Sequence, residues 1–244
     1  MAKRILVFRQ QGFTLIEMVM ALVILGIISL AIGGYIQLGT EGYISTVSRD
    51  RFQAEARFIL EKMTREIRHA APNSIQVNGR CLSFYPIRYA GFYQGDPSTT
   101  TISIVPTLGS AADWLAIPKR GNLALAVGLP SASSYQFDPN HINQVTLGKP
   151  DSGSVSVVID RPLAFTSPAK RAYVYGGSVS YCQAGNLLMR NDVVLGEHIK
   201  AMDFDAAGAG LENNGMVHIG LIMNNPKSGE TFSYDHTVQV MNVL

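Results

Sequence analysis

Glu17 is a carboxylate at the threshold of an apolar run: from Met18 to Thr40 there are 23 consecutive residues without a charged side chain. At the centre of a hydrophobic span such a group costs about 2.5–3.5 kcal/mol on insertion scales, and less near an interface, so a charge kept there normally has a partner and a role. Gly12 stands five positions earlier, closing a leader, Met1 to Gln11, that carries Lys3, Arg4 and Arg9. A secretory signal peptide has its small-residue cleavage site beyond the apolar core. Here the glycine comes before that core and no A-x-A-type site follows it, so release by ordinary signal peptidase is not expected.

Other residues with chemical potential are dispersed. His69, His141, His198, His218 and His236 form no HxxxH or HExxH pair. His218 and His236 could meet across two strands, although solvent-facing strand positions are the more ordinary reading. Asp203 and Asp205 share one face of a strand and Glu212-Asn213-Asn214 follow in a Gly-rich turn, which suggests a calcium site, but the spacing is not that of an EF-hand. The G-x-S-x-G nucleophile turn and the phosphate-cradling glycine loops are absent. No catalytic residue, metal or cofactor is therefore expected. Cys81 and Cys182 lie in two strand-like segments 101 positions apart. An exported body and an even cysteine count favour a disulfide, worth on the order of 4 kcal/mol for so long a loop; two separate buried thiols are the alternative.

The elements that must position these residues follow from hydrophobic patterning. At about 1.5 Å rise per residue, Met18 to Thr40 crosses a hydrocarbon core roughly 30 Å thick as one helix. With Lys3, Arg4 and Arg9 before the span, and 17 basic against 17 acidic residues from Glu41 onward, the charge asymmetry predicts a cytoplasmic N-terminus and an exported body. The balanced body argues against a nucleic-acid partner. Phe52, Ala56, Ile59, Leu60, Met63, Ile67, Ala70 and Ala71 recur at helical spacing, which predicts an amphipathic helix ended by Pro72 and Asn73. Span and amphipathic half together predict a rod from about Phe13 to Ala71, roughly 88 Å long, with Gly33-Gly34, Gly39 and Gly42 either bending it or admitting neighbouring helices.

Gln11-Gly12-Phe13-Thr14-Leu15-Ile16-Glu17 followed by the apolar run closely resembles the class III signal of type IV pilins and type II secretion pseudopilins. The resemblance implies that a prepilin peptidase cuts between Gly12 and Phe13, that the new amine of Phe13 is N-methylated, and that Glu17 serves subunit assembly. Cleavage would set a positive amine about one helical turn from the Glu17 carboxylate, and pairing of Glu17 with the amine of a neighbouring subunit would satisfy both charges. It also implies a pilin-like α+β fold: a long N-terminal helix packed by its second half on an antiparallel β-sheet head. Partners would be other pilins or pseudopilins, the inner-membrane assembly platform, and membrane lipid before assembly.

From Ile75 onward, short alternating segments separated by Gly, Pro, Asn and Asp read as strands. Candidates are Cys81 to Tyr85, Val155 to Ile159, Ala172 to Cys182, Leu187 to Arg190, Met216 to Met223 and Thr231 to Val243. The expected division is a cleaved leader, 1–12; a membrane-spanning assembly half, 13–40; an amphipathic half, 41–71; and a periplasmic β-rich head, 72–244, with an insertion at 96–150. Phe84, Tyr85, Tyr89, Phe92 and Tyr93 could form an adhesive face, against core packing for most of them. Val179 to Cys182, Gly185-Asn186, Leu187 to Arg190, Val217 to Leu221 and the terminal Val238 to Val243 resemble minor pilins of the PilW and pseudopilin J group, most of all the MshO type of mannose-sensitive haemagglutinin (MSHA) pili. Three function classes follow: a minor pilin that initiates, caps or decorates a type IV pilus used in attachment or motility; a minor pseudopilin of a type II secretion system; and a membrane-anchored periplasmic enzyme or receptor.

Overall fold

The computed structural model describes residues 12–107, 123–135, 143–151, 153–207, 215–226 and 228–241. The chain divides into two compact units, Met1–Gln53 and Ala54–Leu244. One helix, α1 (Leu15–Arg68), begins in the first unit and ends in the second. The architecture is α+β, with a long apolar N-terminal helix followed by antiparallel sheets.

Within the second unit the helical stripe is Ala56, Ile59, Met63 and Ile67, each fully buried, and it continues into Ala70 and Ala71. Leu60, expected in that stripe, is only half-buried. The helix stops at Arg68 rather than Ala71 because sheet-like bonds replace helical ones. Ala70 bridges Pro86, the Ala71 N–H donates to the Tyr85 carbonyl at 2.8 Å, and the Ile87 N–H donates to the His69 carbonyl at 2.9 Å. Asn73 then takes a left-handed φ of 59°, a region asparagine tolerates.

The strands in chain order are β1 (Gln76–Asn78), β2 (Cys81–Phe84), β3 (Ile87–Gln94), β4 (Thr101–Pro106), β5 (Ala124–Ala126), β6 (Asn143–Asp151), β7 (Ser154–Ile159), β8 (Arg171–Tyr175), β9 (Val179–Ala184), β10 (Leu187–Arg190), β11 (Val193–Gly196), β12 (Ile199–Ala207), β13 (Met216–Asn224) and β14 (Thr231–Gln239). Among the described residues these form three antiparallel assemblies: a five-stranded sheet β1-β2-β9-β10-β11, a three-stranded sheet β12-β13-β14, and a closed barrel β3-β4-β7-β6-β5-β8. Gln183 joins the two sheets, its Oε1 accepting the Met202 N–H at 3.0 Å. The β10–β11 hairpin turns on Asn191 and Asp192, both at positive φ, the requirement of a two-residue type I′ turn.

The segment expected as one strand, Ala172 to Cys182, is two. β8 belongs to the barrel and β9 to the five-stranded sheet, with Gly176, Gly177 and Ser178 between them. Two successive glycines offer no side chain to pack and free the backbone to change course. The 96–150 segment supplies β4, β5 and β6 to the barrel. Its interior is filled by Tyr89, Tyr93, Ile102, Ile104, Leu125, Val155, Val157 and other apolar side chains, so it is a packed core rather than a channel.

The whole barrel lies between β2 and β9, which are adjacent partners in the five-stranded sheet. Cys81 and Cys182 sit directly opposite each other in that pair, Cα atoms 4.2 Å apart, and are joined by a disulfide. The bond therefore closes the neck through which the barrel leaves and re-enters the sheet. For a loop of about 100 residues the chain-entropy model assigns roughly 4.7 kcal/mol. Replacing both cysteines by serine should lower unfolding stability by about 2–5 kcal/mol, read as the denaturant midpoint; midpoints unchanged by replacement or by reductant would remove the bond from the account.

Candidate assembly site

The N-terminus of α1 is a capped helix end. Gly12, Phe13 and Thr14 precede the first helical residue, Leu15. The Thr14 Oγ1 accepts the Glu17 N–H at 3.4 Å, and the Thr14 carbonyl accepts the Met18 N–H at 3.2 Å. Thr14 is thus the N-cap and Glu17 the third helical residue, the spacing of a Thr-x-x-Glu capping box. Sequence reasoning assigned Glu17 to pairing between subunits and missed this local role. The signal for it was Thr14, three residues upstream of the glutamate.

Glu17 is the acidic residue of the first turn, where the positive end of the helix dipole favours a carboxylate by about 0.3–1 kcal/mol. The leader residues 1–11 lie outside the described residues.

Beyond the cap the helix is bare. Residues 12–47 are all exposed, including Phe13 at 86%, Leu15 at 82% and Leu30 at 81%, and α1 is long and apolar enough to cross a membrane. Three of its hydroxyls are turned inward on the backbone, and the Gln37 Nε2 donates to the Glu41 carboxylate at 3.1 Å. Ser29 Oγ donates to the Leu25 carbonyl and Thr40 Oγ1 to the Ile36 carbonyl, both at 2.7 Å, and Thr46 Oγ1 to the Gly42 carbonyl at 3.0 Å. The surface shown to the surroundings is hydrocarbon, with the backbone bonded internally, as a bilayer requires. The helix runs unbroken through Gly33 and Gly34, where an added Cβ would meet nothing within 4 Å. Such positions admit another helix at close range.

In the second unit, a cluster around Glu66 holds the helix to the head. Its Oε2 accepts from the Tyr181 hydroxyl at 2.8 Å and from Arg190 Nε at 2.9 Å, and its Oε1 lies 2.9 Å from Lys62 Nζ. Burial pushes the Glu66 carboxyl up, but hydrogen bonds from Lys62, Arg190 and Tyr181 outweigh it and hold the group below the ordinary glutamate range. Burial also drives the Tyr181 hydroxyl well above its usual range, with the adjacent Glu66 carboxylate acting in the same direction, so the tyrosine stays a donor. About three turns earlier in the helix, Glu55 Oε1 accepts the Glu197 N–H at 2.8 Å, and Gly196 presses against Ile59, whose Cδ1 would stand 2.5 Å from an added Cβ.

The remaining candidates do not assemble. His218 pairs across from Thr237 and His236 across from Ile219, so the two imidazoles are on opposite faces of their sheet. Asp203 and Asp205 are exposed on one face of β12, while Glu212, Asn213, Asn214 and His141 lie outside the described residues. Among the described residues no group of three or more His, Cys, Asp or Glu is placed to hold a metal. The aromatic run is divided. Phe84 stacks with Tyr181, Tyr85 packs against Tyr135 and Tyr175, Tyr89 and Tyr93 fill the barrel, and Phe92 is 44% exposed.

The family model described as the prokaryotic N-terminal methylation motif matches residues 7–33. The match covers the N-terminal end of the chain, including Gly12, Glu17 and the first part of the apolar run, and shows a prepilin-type methylation motif there. No curated protein and no solved structure matches the chain.

A carboxyl held below its unfolded value adds stability above that value and loses it as pH falls through the folded one. Wild type should therefore exceed Glu66→Gln by about 1–2 kcal/mol at pH 7, a charge-assisted bond discounted for solvent screening. The gap should close as pH falls below the ordinary 4.5 and through the depressed folded value. A gap constant from pH 7 to about pH 3 would show that the charge of Glu66 contributes nothing.

Proposed function

We propose that the chain is a minor pilin: a structural, non-catalytic subunit that initiates, caps or decorates a type IV pilus of the MSHA kind. The observation that carries this reading is the capped, wholly exposed apolar helix behind Gly12, with Glu17 in its first turn. In the proposal, prepilin peptidase cuts between Gly12 and Phe13 on the cytoplasmic side, and Phe13 is N-methylated. The span rests in the inner membrane with the head periplasmic, then passes through the assembly platform into a filament. There Glu17 pairs with the Phe13 amine of a neighbouring subunit, fixing the axial stagger of the helices.

Two features support a minor rather than a shaft position. The later strand segments resemble the PilW and pseudopilin J group, and a barrel is inserted in the head. A shaft subunit repeats its head at every axial step, so each neighbour must accommodate every added lobe. A lobe of this size is accommodated most easily by a subunit at an end. The presence of Glu17 favours a pilus over the extreme tip of a secretion pseudopilus, whose subunit in the related family typically lacks that glutamate.

Gly12→Val should leave the leader attached and keep the chain out of filaments, seen as a heavier band confined to the membrane fraction. Glu17→Gln keeps a hydrogen-bonding side chain at the capping position but removes the charge. It should be cleaved normally yet enter sheared filaments at least tenfold less than wild type. Equal incorporation of Glu17→Gln would reduce the residue to a helix cap.

A further inference from the structure

β14 is a long sheet edge whose single charged side chain is Asp235. Among the described residues it has β13 on one side and no strand on the other. Edge strands are normally kept short, bulged, or protected by lysine or proline. β1 and β11, the edges of the five-stranded sheet, are three and four residues long. β14 has nine residues, Thr-Phe-Ser-Tyr-Asp-His-Thr-Val-Gln, with neither lysine nor proline, and its register with β13 is unbroken from Thr231 to Gln239.

Part of the face that β14 shares with the buried face of β13 is incompletely covered. Phe232, Tyr234 and His236 are half-buried, whereas their partners on β13, Met223, Leu221 and Ile219, are fully buried; Val238, opposite Val217, is buried like its partner. Beside them runs a groove of about 580 Å³, walled by Arg57, Leu60, Arg65 and Arg68 of α1 and by His236 and Met241. These helical positions form one stripe, flanking the buried stripe, which explains why Leu60 is not in the core. Arg57 acts on Tyr234 of β14: burial raises that hydroxyl and the guanidinium partly opposes it. Among the described residues Glu61 also lines the groove, between Arg57 and Arg65 on the same helix.

We propose that this groove receives an extended acidic segment of another filament subunit, which adds a strand to the open edge of β14. The inference rests on the filament-subunit reading and names a contact within it. A strand laid there would continue the sheet over the helix and cover Leu60 and Met241 with its apolar residues. Its inward positions recur about every 6.8 Å. Carboxylates at alternate ones reach Arg57 and Arg65, separated by about 12 Å along the helix axis. Main-chain bonds supply affinity in such augmentation and the alternating side chains supply specificity.

The test uses the full chain in detergent micelles and a fluorescent octapeptide Asp-Thr-Val-Thr-Asp-Thr-Val-Thr, which alternates Asp and Val on one face of a strand (the Val-Asp octapeptide; lysine replaces aspartate in the Val-Lys octapeptide), followed by anisotropy at low salt. Binding is expected. It should fall at least tenfold for a Val-Lys octapeptide, and equally for the Val-Asp octapeptide N-methylated at alternate backbone nitrogens. The Arg57→Glu, Arg65→Glu double variant should lose Val-Asp binding at least tenfold and gain Val-Lys binding, while Arg57→Lys with Arg65→Lys keeps the Val-Asp preference. Failure of the Val-Asp peptide to bind overturns the proposal. So does equal binding of the N-methylated peptide, or indifference to the charge reversal. Wild-type entry into sheared filaments is scored separately. A chain found in filaments that binds no peptide refutes the strand addition alone, and a chain absent from filaments refutes the subunit reading.

Discussion

An apolar helical surface with nothing covering it is the constraint on which the rest of this structure depends. Residues 12–47 expose hydrocarbon on all sides. In water such a surface collapses or aggregates, so it belongs in lipid or against helices like itself. Either setting forbids unsatisfied polar groups along the shaft. The hydroxyls of Ser29, Thr40 and Thr46 accordingly bond to carbonyls one turn back, and the run from Met18 to Thr40 carries no charged side chain. Glu17 stands at the N-terminal end of the helix, where the helix dipole and a threonine cap favour a carboxylate. The same residue stabilises the first turn of its own helix, and in the proposed filament it would also supply the negative charge for an amine at Phe13.

The second half of the helix answers to a different demand, because it must hold a head without forfeiting the polarity of its outer face. One stripe, Ala56, Ile59, Met63 and Ile67, is buried by packing. Close approach is secured where the sheet offers Gly196 to Ile59, and orientation by charge-assisted bonds from Glu66 to β9 and β10. Packing sets how near the helix lies, and the Glu66 bonds set its rotation and axial position. A carboxylate with donors on two strands and on its own helix has one arrangement that satisfies all of them.

Legibility followed the range of the interaction. The glycine, the glutamate and the uninterrupted span are local, and their spacing alone specified the N-terminal element. The cap is equally local, since Thr14 and Glu17 are three apart, although the charge of Glu17 points as readily to a partner outside its own helix. The helical stripe was read correctly except at Leu60. Periodicity gives an angular position on the helix, and Leu60 falls on the boundary that β14 leaves open. The barrel was not legible. Its closure depends on β8 returning to β3 and β5, pairings between residues far apart, and β5 is a three-residue strand with little pattern of its own. The break after Tyr175 was signalled by Gly176-Gly177, which a reading of alternation passed over.

The barrel's point of attachment explains how a head can carry it. β2 and β9 are neighbours whether or not anything lies between them, so the chain leaves and returns at one place and the five-stranded sheet is undisturbed. The disulfide lies across that neck and ties the two strands covalently. The barrel is nevertheless not an independent appendage. Ala124, Ala126, Tyr173 and Tyr175 of its strands pack with Ala71, Leu129 and Tyr135 in a second core, and the Tyr135 hydroxyl donates to the Pro72 carbonyl at 2.6 Å. Asn73 Nδ2 adds a bond to the Leu129 carbonyl at 3.1 Å. The chain just past the helix end is thus gripped by the inserted module. A load carried along the helix would pass both into the sheet at Glu66 and into the barrel at Pro72, and the neck disulfide keeps those two routes in one body.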